Sequence, residues 1–270
     1  MAIITISRGA HSKGKEIAQK VAEKLGYECV SRDILLEASE HFHIPEVKLV
    51  RALHNAPSIW DRFTLGKERF IAFIEEAFLE HVRKDNIVYH GLAGHFFLKG
   101  VSHNLKVRII ADKKDRIRLE MERENISEDE AWHTIEKDDY ERHRWSMSLY
   151  GTDTTEPSLY DLIIHLHKIT VDEAVDIICQ TAQLPKLRTT TESENVLDDL
   201  VLAAKVRVAI INEWPNVKVK AMNGEIFVNA EATPEQSNWA QKKIVELVKT
   251  VPGVKEVRVS VSLLPIGERF

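Results

Sequence analysis

Cysteine is scarce in this chain: among 270 residues there are two, Cys29 and Cys179. Each sits in an apolar stretch, which argues against a disulfide framework and for buried free thiols. Long hydrophobic runs are missing as well. Apolar runs are strand-sized or shorter, such as Ile3 to Ile6 and Leu162 to Ile164, far below the roughly 20 residues that span a bilayer. No transmembrane segment is expected. The opening Met-Ala-Ile-Ile-Thr-Ile lacks the basic region, apolar stretch and small-residue cleavage site of a secretory signal, so the expected location is cytoplasmic. Positive charge is not in excess either. The net charge is −5, from 25 basic and 31 acidic residues before Pro185 and 12 and 11 from there on. Neither segment has the clustered Lys and Arg that a nucleic-acid footprint needs, so no nucleic-acid partner is expected. Small phosphorylated ligands need only local positive charge and stay open.

What the chain does have is a normal 44% of apolar residues, enough for one or two packed cores. The first thirty residues read as strand, glycine-containing turn, helix and second strand at Glu28 to Ser31, the opening of a parallel sheet. Ile17, Val21 and Leu25 recur at four-residue spacing with Ala18 and Ala22 beside them, and Gly26 is a natural stop. Asn86 to His90, Leu105 to Ala111 and Tyr160 to Leu166 are further strand candidates; the first two are largely apolar, as expected where helices cover both sheet faces. Ile59 to Lys84 and Lys113 to Arg144 read as helical, with a capping-box start at Ser127 and Glu130. The architecture expected is α/β, a doubly wound parallel sheet.

Pro185 to Asn195 combines Pro, three consecutive Thr and several charges with almost no apolar residues, so it reads as a linker. Beyond it, Val196 to Glu213 is an amphipathic helix, Val217 to Ala221 and Glu225 to Ala230 a hairpin turned at Asn223-Gly224, Pro234 to Lys249 a helix and Val254 to Val261 a strand. The expected division is therefore 1–184, linker 185–195, and a small α+β domain of order αββαβ over 196–265.

The strongest chemical signal is Gly9-Ala10-His11-Ser12-Lys13-Gly14-Lys15-Glu16, placed between first strand and first helix. Its spacing is that of a Walker A loop up to the lysine. The glycines let the backbone turn tightly, so that N–H groups from Gly9 through Gly14 can meet phosphate oxygens, while the helix N-terminus and Lys15 add positive potential. Glu16 stands where a Ser or Thr would ligate Mg²⁺. The plainer alternative is a Gly-Lys turn that merely opens a helix.

Ile4-Thr5-Ile6-Ser7-Arg8, the segment Ser12-Lys13-Gly14-Lys15-Glu16-Ile17-Ala18, Ser31-Arg32-Asp33, His90-Gly91-Leu92-Ala93-Gly94, Ala111 to Arg116, Asp139 to Arg142 and Tyr160-Asp161-Leu162-Ile163-Ile164 follow in order. Together they resemble the cytidylate-kinase-like family of nucleoside-monophosphate kinase relatives over most of residues 1 to 182. In this chain His11 and Lys13 replace glycines that the family usually keeps, and Leu92 stands where it commonly has an arginine. The resemblance implies a P-loop domain with a helical lid. ATP would lie on Gly9, Ser12, Lys13, Gly14, Lys15 and Glu16, with Mg²⁺ carried by the nucleotide. Lys15 would neutralise phosphate charge, and Arg116, Arg123 and Arg142 would clamp the transferring group, with Asp139 orienting one of them. Arg32, Asp33 and Gly91 would meet the acceptor. Arg suits the lid because its planar guanidinium binds phosphate bidentately; the alternative for the arginines is surface pairing with Glu120 and its neighbours, and for Arg32 and Asp33 a helix cap.

The C-terminal segment, with Val251-Pro252-Gly253-Val254-Lys255-Glu256-Val257 before its last strand, resembles the BON domain over about 196 to 263. This implies an interaction module with a protein or phospholipid partner; Lys218, Lys220, Lys242 and Lys243 otherwise read as solvated. His90, His95, His165 and His167 are read as core or edge histidines rather than metal ligands, because no Cys or carboxylate lies at zinc-like spacing beside them. The tryptophans are read as packing residues. Two functions follow: a kinase moving the γ-phosphoryl of ATP to CMP or a related nucleotide, or a catalytically degenerate nucleotide sensor whose BON-like domain carries the output.

Overall fold

The computed structural model describes residues 2–9, 11–31, 33–42, 64–91 and 94–263. Their contacts divide the chain into two compact units, Met1–Asp61 with Lys84–Thr190, and Arg62–Arg83 with Thr191–Phe270.

The first unit is built on strands β1 (Ile3–Arg8), β2 (Glu28–Val30), β3 (Ile87–His90), β4 (Asn104–Ala111) and β5 (Leu162–Leu166), all parallel in the order β2-β3-β1-β4-β5. Helices α1 (Gly14–Leu25) and α2 (Asp33–Phe42) belong to its N-terminal part. β1 is central and contributes Ile3, Ile4 and Ile6 to the core, each essentially inaccessible. Ile17 and Val21 of α1 pack with Val88, Leu105, Val107 and Ile109, so the four-residue stripe read from sequence is the core face of that helix. Full burial of such side chains contributes about 1.5–3 kcal/mol each before the entropy cost of ordering them. α1 stops at Gly26, whose φ of 69° lets its N–H reach back to the Ala22 and Glu23 carbonyls.

Lys113 to Arg144 is helical in two pieces, divided at the expected capping box. α5 (Lys113–Glu124) ends at a left-handed Asn125, and α6 (Glu128–Tyr150) restarts at Ser127, where the capping box with Glu130 is complete. Between β3 and β4 lies the short α4 (Gly94–Phe97). After β5 comes α7 (Val171–Ala182), capped reciprocally by Thr170 and Glu173; its apolar face, including Ile178 and Cys179, joins the core. Cys179 is buried, Cys29 is partly exposed, and both are free.

In the second unit α3 (Thr64–Val82) packs along α8 (Thr191–Ile210), tied by Glu75 to Arg207 at 2.7 Å and by Lys205 to Glu80. α8 begins at Thr191, so the last residues of the stretch read as a linker are helical; Glu192 and Glu194 in the first turn suit its positive end, and Ser193 is buried. β6 (Lys218–Met222) and β7 (Glu225–Ala232) form the antiparallel hairpin expected at Asn223-Gly224, and β8 (Glu256–Leu263) pairs parallel to β7. α9 (Ser237–Lys249) completes the order αββαβ. Trp214 is buried as expected, whereas Trp132 and Trp239 are largely exposed. Trp132 instead offers its ring to the Lys113 ammonium at 4.7 Å.

Candidate functional site

The site grows from the turn between β1 and α1. Gly9 N–H donates to the Ile109 carbonyl at 3.3 Å, holding the start of the turn against β4. Ser12 is buried, and its hydroxyl donates to the Gly9 carbonyl at 2.9 Å, so it closes the loop from inside. His11 and Lys13, at the positions where the resembled family keeps glycine, have φ of 57° and 55°. The glycine-type backbone is therefore kept although the residues are not glycine. Alternating left-handed residues turn successive N–H groups toward one concavity, the geometry that cradles anions. Gly14 cannot be replaced without movement: a Cβ there would lie 2.7 Å from Arg8 Cβ.

Lys15 is exposed and makes no ion pair among the described residues. Glu16 pairs with Lys20 one helical turn on, at 3.5 Å, so its carboxylate has a cation along α1. His11 sends its imidazole to the helices after β4. Its Nδ1 is 2.7 Å from Glu120 Oε2 on α5 and its Nε2 is 3.5 Å from Asp138 Oδ2 on α6.

Arginines converge on the same end of the sheet. Arg116, on the first turn of α5, is nearly buried and donates through Nη2 to both oxygens of Asp139 at 2.8 Å. Its guanidinium carbon is 3.8 Å from where a Cβ on Gly9 would stand, so it lies directly over the loop. Arg142 donates to the Arg8 carbonyl at 3.5 Å. Arg108 donates to Tyr160 Oη at 3.2 Å and to the Thr154 carbonyl. Tyr160 Oη also lies 3.2 Å from Ser7 Oγ. Burial, then Arg142, then Arg123 push the Arg8 guanidinium below its ordinary value. Burial chiefly lowers Arg142 too; Asp138 and Asp139 oppose this, and Arg116 and Arg108 add to it. Arginine stays protonated regardless, so these shifts mark buried guanidinium groups, with like charge beside Arg8 and two carboxylates ahead of the arginines beside Arg142.

Of the residues singled out by sequence, Gly9, Ser12, Lys13, Gly14 and Lys15 form the loop, and Arg116, Asp139 and Arg142 stand over it. Arg123 does otherwise: it is exposed and pairs with Glu120 at 3.0 Å and Glu124 at 2.9 Å, the surface pattern. Gly91 follows β3 at a bend where a Cβ would meet Tyr89 Oη at 2.5 Å. Asp33 opens α2, but its side chain lies outside the described residues, as do Arg32, Leu92 and Trp60. Sequence reading passed over Arg8, Arg108 and the loop contacts of His11; Arg8 stood inside the quoted Ile-Ser-Arg run, and Arg108 was hidden in an apolar strand. It also set aside His165 and His167 for want of nearby carboxylates, which the fold supplies as Asp112 and Asp115.

A cleft of about 590 Å³ opens beside the loop, with Ser12, Lys13 and Glu16 on one wall, Arg118 and Leu119 on another, and Ile169 among the residues after β5 on a third. Its size suits a nucleoside-sized ligand.

A parallel sheet with a left-handed loop after its central strand and arginines beside that loop defines an α/β protein with its basic side chains gathered at one strand end. An uncharacterized protein from Eubacterium ventriosum shares the fold, with a TM-score of 0.52 at 20% identity over 67% of this chain and 98% of that one. A family model described as the cytidylate kinase-like family matches residues 3–168, and the chain belongs to that family. It is 26% identical to a cytidylate kinase of Staphylothermus marinus over 182 residues, covering 66% of this chain and 94% of that protein. It is 27% identical to a cytidylate kinase of Pyrococcus horikoshii over 171 residues, covering 62% and 80%.

Proposed function

We propose that the chain is a nucleoside-monophosphate kinase that transfers the γ-phosphoryl group of ATP to CMP or a related nucleotide. The observation that carries this reading is the convergence of Arg116 and Arg142 on the Gly9 to Lys15 loop. Phosphoryl transfer asks a protein mainly for positioning and for stabilising charge on the equatorial oxygens. The loop N–H groups and Lys15 would hold the donor's β- and γ-phosphates, and the nucleoside would enter the neighbouring cleft. Arg116, fixed by Asp139, and Arg142 would meet the charge that builds up as the phosphoryl group moves. Arg32, Asp33 and Gly91 would serve the acceptor at the strand ends where open α/β sheets bind ligands.

Mg²⁺ supplies charge neutralisation between β- and γ-phosphates when bound. The loop offers it no hydroxyl: Glu16 occupies that position and pairs with Lys20, and the Ser12 hydroxyl is engaged by Gly9. Its ligands would come from the phosphates, and the protein's own contribution remains with the arginines.

The sensor reading draws on His11, whose imidazole ties the loop to Glu120 and Asp138. In that case the αββαβ segment, BON-like in order, would carry the output to a protein or phospholipid partner.

The test is ADP release from ATP and Mg²⁺ with a panel of nucleoside monophosphates, comparing the wild type with Lys15→Ala. Acceptor-dependent release that is highest with CMP and collapses in Lys15→Ala is expected. Folded protein with no acceptor-dependent turnover sinks the kinase reading; nucleotide binding without turnover then favours the sensor.

A further inference from the structure

His165 lies on β5 between the buried Ile164 and Leu166, and His167 is the first residue after the strand; both histidines are exposed. β4 runs parallel beside it, with Ile110 opposite His165 and Ala111 opposite Leu166. That register delivers Asp112, the residue after β4, to the histidine pair. His165 Nε2 is 3.0 Å from Asp112 Oδ1, and His167 Nδ1 is 3.2 Å from Asp112 Oδ2 and 3.9 Å from Asp115 Oδ2. One donor atom each from Asp112, Asp115 and His167 can be chosen so that all lie within 4.8 Å of one another.

Two further details set this cluster apart from ordinary surface pairing. Asp112 occupies the N-cap position of α5, yet its carboxylate makes no capping hydrogen bond, whereas Ser127 and Thr170 cap the next two helices fully. Asp is among the best N-caps, so here the side chain has turned from the helix to the imidazoles. Asp115 is held in turn: Arg118 donates to its Oδ1 at 3.0 Å, which leaves Oδ2 toward His167.

We propose that Asp112, Asp115 and His167 form a three-ligand site for a divalent transition-metal ion of the Zn²⁺ kind, with His165 hydrogen-bonded to the second oxygen of Asp112. A tetrahedral ion with bonds of about 2.0–2.1 Å has ligand-to-ligand edges of roughly 3.3 Å; the His167 separations of 3.2 and 3.9 Å bracket that edge. An imidazole ligand selects a borderline ion over Mg²⁺ or Ca²⁺, which prefer all-oxygen sets. Three protein ligands leave a fourth position for water, and His165 acts as the outer partner that orients Asp112. The ion would join the start of α5, the helix that carries Arg116, to the end of β5. Asp115 and His167 also line the cleft beside the phosphate loop, so the ion would sit in its wall.

The experiment is calorimetric titration of the full chain with ZnCl₂ alone, in the presence of excess Mg²⁺ and without nucleotide, which keeps its outcome independent of phosphoryl transfer. One saturable Zn²⁺ per chain is expected. His167→Gln and Asp112→Asn should each weaken it at least tenfold, His165→Gln less, and His133→Gln on exposed α6 surface not at all. These are exposed or half-exposed side chains, and a circular-dichroism melt of each variant checks folding. Absence of a saturable site below about 100 μM Zn²⁺ in the wild type overturns the proposal, as does binding that persists unchanged in His167→Gln.

Discussion

The loop after β1 in the parallel-sheet unit and the hairpin turn of the three-stranded unit both need left-handed backbone, and they obtain it differently. In the hairpin the positive φ falls on Asn223 and Gly224, residue types that adopt it readily, and the Asp199 carboxylate accepts from the Asn223 N–H at 3.0 Å. In the loop it falls on His11 and Lys13. Charge is distributed with the same asymmetry. In the second unit Arg207 meets Glu75 and Glu68, and Arg258 meets Glu225. Around the loop, Arg8 has Arg142 and Arg123 as its charge neighbours, and Arg142 has Asp138 and Asp139 ahead of Arg116 and Arg108. Left-handed backbone at residues that do not favour it and the like charge beside Arg8 fall at one end of one sheet, which is where a ligand could compensate them.

The sharpest way to break this comparison is to remove one arginine from each unit. Arg142→Ala should lower turnover by on the order of 10²–10³, as loss of one preorganised donor does, with a smaller effect on the melting temperature, because burial and the like charge of Arg116 and Arg108 offset what Asp138 and Asp139 contribute. Arg207→Ala should do the reverse. Activity should persist, and stability should fall by about 1–3 kcal/mol because the Glu75 carboxylate, already raised by burial and held down by Arg207, loses its partner. Paired steady-state kinetics and urea melts read both effects. If Arg142→Ala instead destabilises the fold with activity per folded molecule intact, the arginine cluster is structural.

A second cost lies away from the loop. His95 is buried, its Nε2 has no hydrogen-bond partner among the described residues, and burial first, then Lys106 and Arg108, lower it from 6.5 to about 4. The unfolded chain takes up this proton near pH 6.5 and the folded chain only near 4, so stability should fall as pH drops through that window, by up to about 3 kcal/mol. Urea midpoints of wild type and His95→Gln across pH 4–7 test this: the variant should lose stability less steeply on acidification. Parallel acid limbs would show that His95 does not carry the dependence.

The candidate loop could be read along the chain from a Gly-x₄-Gly-Lys run between strand and helix, and the resemblance pointed to the arginines of α5 and α6. What could not be read depends on register and on partner choice. Asp112 and His165 are far apart in sequence and meet only because β4 and β5 pair with Ile110 opposite His165. α3 buries residues of every phase, among them Ile71, Ala72, Phe73, Ile74, Phe78 and Leu79. With buried residues at successive positions, periodicity alone does not say that its contacts group it with α8 rather than with the strands that flank it in sequence. The conformation of His11 and Lys13 was equally hidden. Their side chains suggested a lost glycine loop, while the backbone kept it.

That retention predicts the smallest effect and the one that bears most directly on the comparison. A left-handed residue with a Cβ costs roughly 1–2 kcal/mol, and glycine gives back about half of that through its larger unfolded-state entropy. Lys13 is exposed and its side chain makes no ion pair among the described residues, so Lys13→Gly should stabilise the chain by about 0.5–1 kcal/mol in a urea melt. Asn223→Gly, at a matching φ of 53°, should change stability by only a few tenths, since asparagine tolerates the conformation. Equal responses at the two positions would mean that Lys13 is no more strained than an ordinary turn. If Lys13→Gly gains stability but binds ATP less well, the lysine is kept for its charge at the phosphates despite the strain. If ATP affinity rises with stability, the lysine instead restrains the loop, and the sensor reading gains ground over turnover.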